Sequence, residues 1–423
     1  MKKKHTAQAW VIWSLSALFM CYKYVLEVSP SVMTTPLMQT FHISATQLGN
    51  LVASYFYASL LLQLPAGLLL DGIGPRKITT CIIALCAIGA ILFSSTQVIF
   101  LAAIGRFLMG IGAAFAPISC LKLTLNWFPK KQFAFMAGLM MAVAMLGAVG
   151  GQAPLAGLIA KVGWNYSLQL LGFFGFALAL LFWIIVRDKN KVHVIKDSST
   201  PPPIFTSLLH IIKHKQSFWL SIYSGLSFAP VMVFGGLWGV NFAEKAFAES
   251  QNIAAQSVSL IFIGFAVGAP LFGWFSDWLG KRRSVMTWGT LGALVSICAV
   301  IYLPTSFTAQ ISALLFFLFG FCISSFLLCF TMICEVHPAL MAATAVSFMN
   351  TFNALFGAFS DPLAGKLLDL TWDGTLIDSA RSFSLYGYKI AFLMLPIYLI
   401  LALLCLTRIK ETHCKHITPS SLP

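Results

Sequence analysis

Six ionisable side chains fall inside long apolar runs of the sequence: Lys23, Glu27, Arg106, Lys122, Asp361 and, near the end of its run, Glu335. A charge at such a place costs about 2.5 kcal/mol or more, so each needs a partner or a task. Lys23 and Glu27 are four residues apart and share a face if the segment is helical. Glu27 lies about ten residues before one end of its run, and Arg106 about eight after the matching end of another. At about 1.5 Å per helical residue the two reach similar depth, and a carboxylate–guanidinium pair between them is expected. The chemistry available is recognition of a small anionic group by Lys23 and Arg106, whose planar fork matches a carboxylate, with a proton carried at Glu27. A direct contact of Glu27 with a bound molecule and a static salt bridge are the other readings of the same residues. Lys122 is about 160° round a helix from Arg106, so one site is not expected to use both; near its end of the run it can snorkel. Asp361 precedes Pro362, which removes a backbone donor; the segment either breaks there, contributing to a cavity or hinge, or tolerates a kink with Asp361 paired to a nearby group. Tyr22, Tyr24, Tyr55, Tyr57 and Trp238 fall in the same kinds of run. They suit a cavity wall or plain packing.

The surrounding composition says what holds these residues. Of 423 residues 59% are hydrophobic and only 9% charged, with a formal net charge of +14; mean hydropathy is +0.86. Soluble proteins carry about a quarter charged residues. Lipid is therefore the solvent, and a soluble enzyme, a nucleic-acid-binding module and a disordered chain are excluded. The ten cysteines form no CxxC, the histidines offer no metal-ligand spacing, and no Walker loop is present, so neither metal nor cofactor is expected. The apolar runs are continuous and near the 20 residues a helix needs to cross a bilayer, unlike the short alternating segments of a barrel. We read twelve such spans, an all-α membrane protein. With an even count, Lys2, Lys3, Lys4, Arg76, Lys77, Lys130, Lys131, Lys281, Arg282, Arg283 and the basic residues of 188–216 and of the tail sort to one side. That side, with both termini, is cytoplasmic by the positive-inside rule. The expected organisation is a six-helix bundle over 1–187, a Pro-rich cytoplasmic linker over 188–216, a second six-helix bundle over 217–410 and a tail over 411–423.

The bundles read as two copies. GLLLDGIGPRK at 67–77 matches GWFSDWLGKRR at 273–283, with Gly67 and Gly273, Asp71 and Asp277, Gly74 and Gly280 each 206 residues apart. PLAGLIAKVGW at 154–164 matches PLAGKLLDLTW at 362–372, 208 residues apart. An even number of spans per copy gives both the same topology.

On these motifs the chain resembles the major facilitator superfamily over nearly its whole length. Gly67, Asp71, Gly74, Arg76 and Lys77 resemble that family's loop signature, Pro75 departing from it. Arg106, Gly110 and Gly112 are similar to its second motif. Gly138, Gly147, Gly150, Gly151 and Pro154 are similar to its third, with altered spacing. YKYVLEVSPSVM, GRFLMGIGAAFAP and LKLTLNWFP resemble a nutrient-uptake branch of intracellular bacteria. The resemblance implies a secondary transporter of the bacterial inner membrane that works by alternating access. The expected activity is proton-coupled uptake of an amino acid, short peptide or carboxylate-bearing solute. Substrate and proton would use Lys23, Tyr24, Glu27, Tyr55, Arg106 and Asp361. Gating would fall to Gly67, Asp71, Gly74, Arg76, Lys77, Gly273, Asp277, Gly280, Arg282 and Arg283, with Gly67 admitting a neighbouring helix and Asp71 pairing with nearby cations or across the seam between bundles. A drug or metabolite exporter and a non-transporting sensor are the alternatives. The partners expected are the solute, the coupling proton and the bilayer, without nucleic acid; oligomeric state is left open.

Overall fold

The computed structural model describes residues 2–129, 132–187, 204–303, 309–338, 341–377 and 380–415. The 188–203 stretch with Lys189, Lys191 and Lys196, and also Lys130, Lys131, Asp378, the end of the tail over 416–423 and the side chains of Lys2, Lys3, Lys4 and Asp71, lie outside the described residues. The chain folds as a multi-pass helical bundle. Its helices are α1 (Lys2–Val28), α2 (Thr34–Phe41), α3 (Ala45–Ile73), α4 (Pro75–Ser95), α5 (Ile99–Trp127), α6 (Phe133–Gly150) and α7 (Ala153–Ile185). There follow α8 (Ile204–Lys213), α9 (Lys215–Pro230), α10 (Gly239–Phe247), α11 (Gln251–Leu279), α12 (Arg282–Tyr302) and α13 (Ala309–Ile323). Last come α14 (Leu328–Glu335), α15 (Ala342–Leu370), α16 (Leu385–Ala391) and α17 (Met394–Arg408). A π-helical stretch over Val231–Trp238 joins α9 to α10. A small antiparallel hairpin pairs Leu376–Ile377 with Ala380–Arg381.

Among the described residues nine stretches are long and apolar enough to cross a membrane. One, Phe135–Ile185, holds both α6 and α7, and α7 is kinked at Gly163, where φ is 82° and the backbone leaves the helix. Helices α3 and α15, 29 residues each, are long enough at about 1.5 Å per residue to cross as well. Large apolar side chains such as Phe100, Phe173, Trp274, Trp278 and Trp288 stay exposed on the outside, where lipid would cover them.

Local sequence explains the corners. Gly74 (φ 100°) ends α3 and Gly280 (φ 64°) ends α11, so the repeated motif puts a glycine in left-handed space at the same corner of each copy. Ser44 and Gln47 form a reciprocal capping box at the start of α3. Pro362 does not break its segment; of its two readings the tolerated proline is the one seen, although Asp361 Oδ1 finds no partner. Helix α15 runs through it, because close neighbours on both sides hold a proline inside a membrane helix. The last segment is divided instead, between α16 and α17 around Phe392–Leu393.

Helix α1 packs on α5, α6 and α7, α3 on α5, and α4 on α5 and α7. Later in the chain α9 packs on α15 and α17, α11 on α13, and α12 on α13 and α17. The earlier and later sets meet along α3–α15 and α6–α11. Lipid gives helices no hydrophobic reason to associate, so close packing must hold them. A Cβ at Gly49 would strike the backbone of Asp361 and Pro362, and one at Gly365 the Ala45 carbonyl. Polar bonds add to this seam at the end remote from the start of α1 and the end of α17. Thr34 Oγ1 donates to Asn241 Oδ1 (2.5 Å), Gln152 Nε2 to Gly235 O (2.5 Å) and Gln251 Nε2 to Val32 O (3.0 Å). There too Asp369 accepts from Ala45 N (3.1 Å), Thr46 N (2.8 Å) and Thr46 Oγ1 (2.6 Å). The acid thus caps α3 from the other set.

Candidate functional site

Lys23 and Glu27 form an ion pair one turn apart on α1, with both side chains almost fully buried. The Lys23 ammonium sits 3.6 Å from the Tyr24 ring centroid. From α3, the Tyr55 hydroxyl lies 3.4 Å from both the Lys23 carbonyl and Glu27 Oε2, donating to either. Arg106 approaches from α5, which is free to close on α3 because a Cβ at Gly110 would overlap the Tyr55 backbone.

The carboxylate–guanidinium pair expected between Glu27 and Arg106 is not formed. Arg106 Nη1 donates to the Leu26 carbonyl at 2.7 Å, and Nη2 lies 3.5 Å from the Glu27 carbonyl. Pro30 explains this. It has no N–H for the Leu26 carbonyl four residues back, α1 gives way to a 3-10 turn over Ser29–Val32, and Ser29 Oγ and Arg106 take the freed acceptor. Arg106 therefore holds the backbone of α1 while its charge lies over the Tyr55 ring, 5.1 Å from the centroid. Its Nε is buried without a hydrogen-bond partner. The fifth-span glycines serve the same helix: Gly147 packs on the Cys21 carbonyl and Gly151 on that of Val25.

Asp361 enters from α15, in the later set. It is 1% exposed, its Oδ1 has no hydrogen-bond partner, and it lies within Coulombic reach of Arg106 and Glu27. So Lys23, Tyr24, Glu27, Tyr55, Arg106 and Asp361 gather where four helices of both sets converge. Lys122 stands apart, bonded to the Leu70 carbonyl at 2.5 Å. Tyr57 is exposed, whereas Tyr22 and Trp238 are buried. Sequence reasoning missed the neutral polar groups: Gln152, Asn241, and Asn353, which accepts from Ser224 Oγ at 2.7 Å. Uncharged amides inside apolar runs were the available signal.

The gating residues divide. Gly67 and Gly273 have open space where a Cβ would stand, so among the described residues no helix presses on either; for Gly67 a close neighbour was expected. Arg76 donates from Nε to the Trp183 carbonyl (3.0 Å) and stacks on that ring; Lys77 is exposed. In the second copy Asp277 pairs with Arg282 (2.6 Å), which also reaches Glu335 (3.0 Å). That pairing lies within the later set: for Asp277 the motif's aspartate takes a cation of its own loop, the first of its two readings, and not one across the seam. Arg282 and Arg283 donate their backbone N–H groups to Glu411.

At the remote end, burial pushes the Asp369 carboxyl up, but hydrogen bonds from Thr46, Ser44 and Ala45 outweigh it and hold the group below its ordinary range. Two cavities lie outside the cluster of buried charges, the first bordering it through Tyr398. One of about 540 Å³ is an apolar groove between α9, α15 and α17, lined by Trp219, Phe356 and Tyr398 among others. One of about 340 Å³ lies at Lys281, Arg283 and Glu411.

The Major Facilitator Superfamily profile matches residues 13–361. The chain belongs to that superfamily. It is thus a membrane transport protein. It is 24% identical over 379 residues to the lysosomal dipeptide transporter MFSD1 of Danio rerio, covering 84% of this chain and 80% of that one. It is 22% identical over 370 residues to a probable L-galactonate transporter of Escherichia coli (strain K12), covering 82% and 80%. Among solved structures it is similar to a bacterial homolog of the human lysosomal transporter Spinster in an inward-facing, unoccupied conformation, with a TM-score of 0.77 and 16% identity, over 97% of this chain and 99% of that one.

Proposed function

We propose that the chain is a twelve-span, proton-coupled importer of a small carboxylate-bearing organic solute, a short peptide, amino acid or sugar acid. Residues 1–187 and 217–410 form its two rocking six-helix bundles, joined by the 188–216 linker. Both termini and the 411–423 tail face the cytoplasm of a bacterial cell, across its inner membrane. The carrying observation is the cluster of Lys23, Glu27, Arg106 and Asp361, all but sealed from solvent and contributed by both sets. Such charges are retained in membrane interiors where ions or polar solutes pass. The anionic group of the solute meets Lys23 and Arg106, with Tyr24 and Tyr55 as walls. A proton on Glu27 loosens its ion pair and frees the Lys23 ammonium for the solute, so proton and solute load together.

Two relatives whose names give a dipeptide and L-galactonate as cargo support a carboxylate-bearing solute, since both carry that group. The polar bonds across the seam at the remote end, with the open space at Gly67 and Gly273, fit a conformation open to the cytoplasm. In the return stroke the loops at Asp71–Lys77 and Asp277–Arg283 would close that side.

The test is uptake into proteoliposomes across a panel of amino acids, peptides and sugar acids, with and without an inward proton gradient. A carboxylate-bearing solute should accumulate only with the gradient. If no solute responds while dye efflux does, the exporter reading replaces this one. Glu27→Gln should abolish gradient-driven accumulation and leave counterflow exchange; unimpaired accumulation would remove Glu27 as the carrier.

A further inference from the structure

Asp361 is not explained by loading at Glu27. Glu27 has Lys23 and Tyr55 as partners. Asp361 is as deeply buried, yet its Oδ1 meets no donor. The titratable and charged groups around it are Arg106 on α5, Glu27 on α1 and Tyr398 on α17. Tyr398 is engaged with Ser360 at 3.2 Å, and Arg106 turns its Nη1 and Nη2 donors to the carbonyls of Leu26 and Glu27 while its Nε meets no acceptor. Arg106 offers an ionised carboxylate here its charge but no hydrogen bond to Oδ1, so much of the desolvation cost stands. Its position adds the second half of the argument. The Asp361 backbone lies directly against Gly49, at the point where α15 of the later set presses on α3 of the earlier one. Parting α3 and α15 exposes Asp361; closing them buries it.

We propose that Asp361 is a second proton-holding group, protonated whenever the α3–α15 seam is closed as it is here, so that its charge state sets how readily the seam closes. This rests on the alternating-access reading but not on Glu27 as carrier. When the seam parts, water and the Arg106 charge stabilise the carboxylate. Reclosing then takes up a proton from water, and none is transferred to Glu27. Two consequences follow. Exchange slows as pH rises, because the ionised form must be reprotonated before closure. A neutral isostere removes that slowing.

Infrared difference spectroscopy of the reconstituted full-length chain reads the proton directly. At neutral pH a protonated-carboxyl C=O band is expected in the wild type and in Glu27→Gln, and is expected to vanish in Asp361→Asn. A band that survives in Asp361→Asn, or is absent from the wild type, overturns the assignment without touching the transport reading. Counterflow exchange across a pH series, without a gradient, supplies the kinetic readout. The wild type and Glu27→Gln should lose rate toward alkaline pH, whereas Asp361→Asn should stay flat. Were Asp361→Asn inactive, Asp361→Glu should restore both band and alkaline slowing; an unaltered pH profile in an active Asp361→Asn refutes the proposal. If no solute exchanges in the wild type at any pH, the transport reading fails, and the infrared band alone decides the protonation state.

Discussion

At the scale of single residues the site turns on which groups are satisfied and which are not. Arg106 is the hinge of that pattern. Its guanidinium stands in for the N–H that Pro30 lacks, so it holds α1 in place while its charge faces the site. A lysine keeps the charge and loses the fork. Arg106→Lys should therefore raise the KM for the carboxylate-bearing solute by about ten- to a hundredfold, the worth of one charged hydrogen bond at about 1.5–3 kcal/mol, with a smaller effect on kcat. An unchanged KM would show that the solute does not use the guanidinium. That Lys23, Glu27, Arg106 and Asp361 need partners inside the bundle is legible in the sequence because charge in an apolar run is conspicuous, and all four are buried. Their mutual arrangement is not. Depth alone pairs Glu27 with Arg106, whereas a proline three residues beyond Glu27 redirects the arginine to the backbone. Orphan atoms such as Asp361 Oδ1 depend on the packing of four helices and leave no local trace.

Elements position these residues through contacts of backbone on backbone. Helix α5 reaches α3 only because residue 110 is glycine, so Gly110→Val should push Arg106 and Tyr55 apart. A loss of several degrees in Tm together with loss of solute binding is expected; normal binding in that variant would mean the close approach is dispensable. A second element depends on protons outside the membrane. Helix α8 docks through His210, whose ring centroid lies 6.0 Å from that of His337. His214 caps α9 by accepting from Ser217 N, and Ser217 Oγ bonds His337 Nε2 at 2.6 Å. Burial first, then the charges of His214 and His210, hold His337 down at about 4. A depressed histidine favours the folded state while neutral. Docking strength is therefore full above the ordinary histidine value of about 6.5 and is lost as pH falls toward about 4. Amide exchange over 204–213, corrected for its intrinsic pH dependence, should accelerate across that window, and His337→Phe should flatten the step. The motif corners were legible because a glycine at a turn has one main reason to be there; the course of α15 through Pro362 was not, since neighbouring helices decide whether a proline breaks a segment.

For the molecule as a whole, membership of the superfamily and the helical bundle carry the multi-pass fold, and the proposed two-copy topology and its orientation rest on the internal repeat and the sorting of basic residues. What composition cannot disclose is where the two sets touch. Those contacts are uncharged or capping bonds, such as Thr34 with Asn241 and Asp369 with the start of α3, made of residue types that occur everywhere. They are also the bonds that alternating access must break, since the buried charges can face the other side only if this end parts. The most direct test is a disulfide across it. Thr34→Cys with Asn241→Cys, made in a background whose native cysteines are replaced and which still transports, joins the two sets at that end. Oxidation should abolish solute transport and reduction restore it, with either single cysteine variant indifferent to both treatments. Full transport with the cross-link formed would contradict the rocking of one set against the other.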